Sequence, residues 1–428
     1  MKKFFLMVLT LAAGMILSCG PGGSGEKSTV CPPGFIHSKV ATTLGGWHST
    51  TRGTIRLVFP YSDKWLVFRG DPNTYHFSGD GLTWTATEAP QASRSHLVTG
   101  DTIYTFYTVQ VKPAPDWVFD NYICSGIILD KVIQWEAPVK LETRLGYYPD
   151  LQQDDRGFFT ITGRALIRDE ENGIIGEEIL WKRSRYPNDI SEWLPDVRCI
   201  HHLGDAVLDR WTKVGSVAHE NLALEDGKSY VFGMMTVDLV GKLYGNLFDG
   251  TDWGDKDLEL AGGMSTWRGT DQRMTAVFDS RAKVIHLAYV DGEGGLWYRS
   301  AGAPYGAQDW SKPVRLQPFK TFTAVLSLDT SHRPAQVCLL FGKTVIEGKD
   351  KRRTFGELYL QRLDGKIWSE PALVSEPGTE ENWYPNMNAD LRYGIGILYL
   401  KGPGLDPREE KPPMDIMFAS TGGPKILR

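Results

Sequence analysis

A tryptophan returning every 51 to 60 residues, a short amphipathic strand ahead of most copies, and 46 glycines among 428 residues predict an all-β fold. The architecture implied is a β-propeller of seven four-stranded antiparallel blades, with six as the alternative if one module is irregular. The tryptophans are Trp84, Trp135, Trp193, Trp253, Trp310 and Trp368, and Pro138, Pro195, Pro313 and Pro371 closely follow four of them. Related strands precede most copies, as at Leu180–Ser184, Leu243–Leu247, Leu296–Ser300 and Leu358–Arg362, and Ile416–Ser420 repeats the strand without a following Trp. A unit of this size cannot bury its apolar faces alone, so its copies must pack around a common axis.

The elements follow in chain order. Lys2, Lys3 and the apolar run Phe4–Leu17 read as an export signal over residues 1–18, too short to span a bilayer comfortably. Ile16-Leu17-Ser18-Cys19 resembles a bacterial lipobox. That resemblance implies a diacylglyceride on Cys19 and an extracytoplasmic protein held to the cell envelope by this lipid alone. Residues 19–34, glycine-rich at first, form a flexible tether, and 35–428 form one propeller domain. Modules fall at about 47–90, 92–143, 146–202, 212–262, 264–318, 320–376 and 380–421. In the first, strands are expected at Thr54–Phe59, Trp65–Phe68, Thr74–Phe77 and Thr83–Thr87. In the fifth they are expected at Met274–Phe278, Val284–Tyr289, Leu296–Arg299 and Val314–Leu316, between Asp, Gly, Ser and Pro turns. The last module lacks an outer strand, and Ile36–Thr43 is placed to supply it, closing the ring and removing an exposed edge.

Composition excludes several functions. With 47 basic and 52 acidic residues, the net charge of −5 argues against a nucleic-acid partner. No HExxH, GxSxG, Gly-rich phosphate loop or CxxCH is present, so no cofactor and no metal is expected. Cys31, Cys124, Cys199 and Cys338 lack metal-ligand spacing, and both disulfides and buried free thiols stay open. His201 and His202 would face opposite ways on a strand and do not read as joint ligands. Lys349–Arg353 and Asp406–Lys411 read as solvated loops, and a monomer is expected.

Ser78-Gly-Asp-Gly-Leu-Thr-Trp84 resembles the Asp-box of BNR-repeat, sialidase-like propellers, with one residue fewer between Asp and Trp. The resemblance implies a turn between outer strands, held by Asp and Ser hydrogen bonds over a packed Trp, with a structural role. In the other modules the strand-turn-Trp-Pro skeleton reads as lacking the Asp.

Functional residues are sought just ahead of each innermost strand, because those positions converge on one end of the axial channel. They are His48, Thr51 and Arg52; Arg94 and His96; Tyr148 and Asp150; His219, Glu220 and Asn221; Arg268, Asp271 and Arg273; Lys320 and Thr321; and Tyr384, Asn386 and Asn388. Mixed Arg, His, Tyr and carboxylates on one rim suit a polar ligand, and a polysaccharide or glycoconjugate is the expected partner. Arg52, Arg94, His219, Arg268, Asp271, Arg273, Tyr384 and Asn386 are candidate binding residues. Tyr148, His96, Arg164, Glu220 and Asp150 are candidate catalytic residues.

Three chemistries suit this inventory. The sialidase resemblance calls for an arginine cluster, a Tyr–Glu nucleophile pair and an Asp, for which Asp71 or Asp150 would serve, but the family's Arg-Ile-Pro motif is absent. A glycoside hydrolase needs two opposed carboxylates among Asp150, Glu220 and Asp271. A lyase needs a Tyr or His base and an Arg that neutralises a uronate carboxylate. Tyr148-Pro-Asp150, Gly157 and Arg164 resemble the Tyr-Pro…Gly…Arg stretch of BNR-type lyases acting on ulvan-like polysaccharides. The alternative is a non-catalytic module that binds a glycan or protein partner.

Overall fold

The computed structural model describes residues 35–42, 55–61, 64–70, 73–90, 93–112, 118–169, 171, 174–203, 218–237, 240–264, 273–330, 335–347, 354–376, 382–390, 394–402 and 414–421. These form a propeller of seven antiparallel four-stranded blades. The innermost strands are Ile55–Tyr61, Ser93–Thr99, Tyr147–Gln153, Ala218–Ala223, Met274–Asp279, Thr321–Asp329 and Asn382–Asp390, in blades 1 to 7. Expected strands in blades 1 and 5 are found within a few residues of their places, at Ile55–Tyr61, Lys64–Gly70, Asn73–Ser78 and Thr85–Glu88, and at Met274–Asp279, Val284–Val290, Leu296–Gly302 and Val314–Arg315. Ile36–Thr42 pairs antiparallel with Asp415–Ser420 and completes blade 7.

The repeated tryptophan acts as a wedge between blades. Each lies just ahead of an outer strand, and four of them turn their rings onto an aromatic of the preceding blade. Trp135 meets Tyr75 at 5.8 Å, Trp253 meets Trp181 at 5.3 Å, Trp310 meets Tyr230 at 5.8 Å and Trp368 meets Tyr298 at 5.2 Å. Tilted and edge-on ring pairs add to the area they bury, so in these modules one residue ties the blade to its neighbour.

The Ser78–Trp84 turn has the hydrogen bonding its motif implies. Asp80 Oδ1 accepts the backbone N–H of Leu82 and Thr83 at 2.7 Å each, and Ser78 Oγ accepts that of Gly81 at 2.8 Å. Those backbone donors pull the Asp80 carboxyl down to about 2. Gly81 has φ +72°, and a Cβ there would press on the Phe418 ring at 3.1 Å. Ser38 donates to Gly81 O at 2.6 Å and accepts from Trp84 Nε1 at 3.0 Å, while Trp84 packs edge-on against Phe418 at 5.1 Å. The turn therefore clamps the closing strand.

One expectation is corrected here: the aspartate is not confined to this copy. Asp189, Asp249 and Asp364 also stand four residues ahead of Trp193, Trp253 and Trp368. Asp189 Oδ1 accepts from Ser191 N at 2.7 Å, and Asp249 Oδ1 from Thr251 N at 2.8 Å and Asp252 N at 3.0 Å. What the other copies lack is the Ser-Gly-Asp-Gly context.

Cys124, Cys199 and Cys338 are buried free thiols, and burial raises all three pKa values, that of Cys124 to about 11 and Cys338 to about 12. Residues 1–34, with Cys31 and the expected lipidation site Cys19, and the Lys349–Arg353 and Asp406–Lys411 segments lie outside the described residues.

Burial pushes the imidazoles of His76 and His286 down to about 4, with Arg69 adding to the effect at His76. A group whose folded pKa falls below its unfolded value of 6.5 contributes stability that is complete above pH 6.5. That stability is lost as pH falls from 6.5 toward 4. Calorimetry over this window is expected to show Tm dropping by several degrees, with a shallower slope in His286→Gln. An unchanged slope in that variant would remove His286 from the account.

Candidate functional site

Because strands alternate direction, the innermost strands start at the end of the ring where second strands finish and third strands begin. This is called the upper end below. Register and contacts then assign each side chain to a crevice between neighbouring blades. His219 lies opposite Gly233, whose Cβ position would meet Ile179 Cδ1 of blade 3 at 2.5 Å, so both residues face blade 3. Asn221, two residues on, shares that face, and its Nδ2 donates to Thr160 Oγ1 of blade 3 at 2.9 Å.

Blade 3 answers with polar groups. Asp150 pairs in register with Thr162, and its Oδ2 accepts the backbone N–H of Asn221 at 2.9 Å. Arg164, on the same face of Phe159–Arg168, holds Glu177 at 2.6 Å. Side-chain exposures of 5 % and 1 % put this ion pair in the interior. Arg164 also lies opposite Tyr147 across a bulge that spans Tyr147 to Asp150 and includes Tyr148. Asp150, Thr160, Thr162, Arg164, Glu177, His219 and Asn221 thus make one polar seam between blades 3 and 4, rising toward the upper end.

The crevice between blades 5 and 6 shows what a purely structural solution looks like. It is lined mainly by Val290, Leu296, Ala324, Leu326, Leu339 and Phe341, with the uncharged Thr275 and Gln361 and the imidazole of His286 among them. Desolvating a guanidinium and a carboxylate costs several kcal/mol each before their attraction is counted. Packing alone does not call for the polar choice.

The other candidates separate. His96 faces blade 1, where its Nδ1 shares a 2.9 Å hydrogen bond with Tyr75 Oη and its ring lies 4.4 Å from Phe68. Burial raises the Tyr75 pKa, so that hydroxyl stays protonated. Glu220, between His219 and Asn221, points into the crevice between blades 4 and 5. Arg273 stands at the upper end of blade 5 and donates from Nη1 to Asp291 O at 2.9 Å. Asn386 pairs in register with Leu398, on the blade 1 side of blade 7.

Arg94, Tyr148 and Tyr384 are described as strand positions only, and His48, Thr51, Arg52, Asp71, Arg268 and Asp271 lie outside the described residues. Most candidates expected ahead of their strands fall inside them, because the strands start earlier and carry bulges. Of the described candidates, Asp150, Arg164 and His219 come together.

Sequence reasoning missed Glu177 and Glu178, although two adjacent acids inside the strand Ile174–Arg183 were a visible signal. The place of His201 and His202 differs from the strand considered for them. They follow the short outer strand Val197–Arg198 rather than lying on it, and both reach Asp257, at 3.1 Å from Oδ1 and 2.8 Å from Oδ2 through their Nδ1 atoms. Among the described residues no group of three or more His, Cys, Asp or Glu could hold a metal ion.

No protein-family model and no curated protein matches the chain. Solved structures do. A lectin from Burkholderia pseudomallei aligns with TM-score 0.55 and 13 % identity over 86 % of this chain and 99 % of the lectin. An ulvan lyase aligns with TM-score 0.47 and 14 % identity over 77 % of this chain and 80 % of that one. A Trypanosoma rangeli sialidase aligns with TM-score 0.45 and 11 % identity over 91 % of this chain and 60 % of that one. The lectin alignment agrees with the propeller architecture and goes no further, since one fold hosts many functions.

Proposed function

We propose that this propeller binds a glycan at the upper end of its channel, over the seam between blades 3 and 4, and is presented outside the cytoplasm by a lipid on Cys19. The carrying observation is that polar seam: buried Arg164, Glu177 and His219 line one crevice, whereas the crevice between blades 5 and 6 of the same ring is lined mainly by apolar side chains. Convergent polar groups at one end of a propeller axis suit a ligand rich in hydroxyls. The aspartates four residues ahead of Trp84, Trp193, Trp253 and Trp368 support membership of the BNR, sialidase-like group.

Binding is preferred to cleavage for one reason. A lyase arginine must neutralise the substrate's carboxylate, and Arg164 already holds Glu177. Elimination is the second reading, favoured by the register that sets Arg164 beside the Tyr147–Asp150 bulge and by His219 in the same crevice. There Tyr148 and His219 would share the acid and base roles, and His96, in another crevice, would have none.

The test is a panel of neutral and acidic polysaccharides offered to the purified protein, with absorbance followed at the unsaturated-uronate band. Saturable binding that weakens about tenfold in His219→Gln, at unchanged Tm, is the expected result. A folded protein that binds nothing on the panel would overturn the proposal. A rising absorbance that Tyr148→Phe abolishes would promote the lyase reading.

A further inference from the structure

Blade 3 carries a second set of buried charges on its opposite face. Glu178 shares a face with Leu180, which packs against Phe106 and Ile123 of blade 2. Its carboxylate serves two arginines at once: Arg144 Nη1 donates to Oε1 at 2.7 Å, and Arg198 Nε donates to Oε2 at 2.9 Å. Lys182 lies 3.2 Å from Asp196 Oδ1, and Asp196 Oδ2 accepts the Arg144 backbone N–H at 2.9 Å. Among the described residues three cations therefore meet two carboxylates, and one positive charge is left over.

The surplus sits where solvent reaches it. Glu178 is 1 % exposed, whereas the Arg144 and Arg198 side chains are 64 % and 45 % exposed. Each guanidinium commits one N–H to Glu178, and the remaining donors of both have no partner among the described residues. Exposed arginines normally wander, but these two are fixed to the two oxygens of one buried carboxylate. Arg144 is held further by its backbone bond to Asp196, and the preceding residue by Asn121 Nδ2 donating to Thr143 O at 3.4 Å. The result is a pair of donor forks ordered in advance of any ligand, with a net charge that favours an anion.

We propose that Arg144 and Arg198 form an oxyanion subsite in the crevice between blades 2 and 3, which takes a carboxylate or sulfate group of an acidic glycan. The glycan half of this statement rests on the function proposed above; the anion half rests on the arginine pair alone.

Sodium glucuronate, sodium sulfate and glucose separate the arms, titrated into the purified protein by calorimetry at constant ionic strength. Glucuronate or sulfate, whichever binds tighter naming the group preferred, is expected to bind saturably and to shift the Arg Nε–H resonances, while glucose does neither at this crevice. Arg144→Gln and Arg198→Gln should each weaken the anion about tenfold, with Arg198→Lys between them and the wild type. Each single variant leaves Glu178 one arginine, so the fold should survive, and an unchanged Tm checks that it does. Saturable anion binding untouched by both Gln variants, or no saturable binding by the folded wild type, would overturn the subsite. If the anion is lost in these variants while an acidic polysaccharide still binds with full affinity, the site does not serve the glycan, yet the proposed function stands. If His219→Gln removes glycan binding and leaves sulfate or glucuronate bound, the two sites are independent as argued.

Discussion

Arg164→Ala is expected to cost about 3–5 kcal/mol of stability, because it strands the Glu177 carboxylate in the interior without its counter-ion. Chemical denaturation should show this as a lower midpoint at unchanged slope. The double variant Arg164→Met with Glu177→Leu removes both charges and should regain most of the loss, since apolar residues of similar size are often no worse than a buried pair. The two variants together separate structure from function. A refolded double variant that no longer binds glycan would show that the pair is kept for the ligand. If Arg164→Ala costs less than about 1 kcal/mol, the pair is not desolvated as its burial indicates.

The second large effect concerns ring closure. A chain lacking Ile36–Thr42 leaves Asp415–Ser420 as an open edge and uncovers the core around Val40, Trp65, Ile416 and Phe418. Its Tm is expected to fall by roughly 10 °C or more, with concentration-dependent aggregation. A synthetic peptide of residues 35–42 added in trans should restore part of the loss, whereas one with Ser38→Ala, which cannot bridge Gly81 O and Trp84 Nε1, should restore less. A truncated chain that stays monomeric with an unchanged Tm would show that closure contributes little.

Much of the fold was legible because its signals are local. A turn followed by Trp at a fixed interval marks each outer strand, and an outer strand missing from the last module points to the opposite end of the chain. The site was less legible for a specific reason. Which crevice a side chain enters depends on strand parity, and five of the innermost strands carry a bulge that resets it, between Arg56 and Phe59, Ser93 and Ser95, Tyr147 and Asp150, Thr321 and Thr323, and Trp383 and Asn386. Asp150 and His219 therefore look equivalent along the chain, yet Asp150 turns to the following blade and His219 to the preceding one. Pairing is non-local as well: nothing near Arg164 in sequence announces Glu177 as its partner, and Glu178 faces away from its neighbour only because a strand alternates.

The clamp at Gly81 also has a temporal side. Ile36–Thr42 is among the first parts of the domain to be made, and its partner Asp415–Ser420 among the last. Through the whole of synthesis the opening strand waits without its mate, and no partial chain can complete the circle. Contacts of such long sequence separation form slowly, so the ring is assembled late and in one step, after the final blade has been delivered. Until then the chain stays unlocked, with its first and last strands both waiting for a partner.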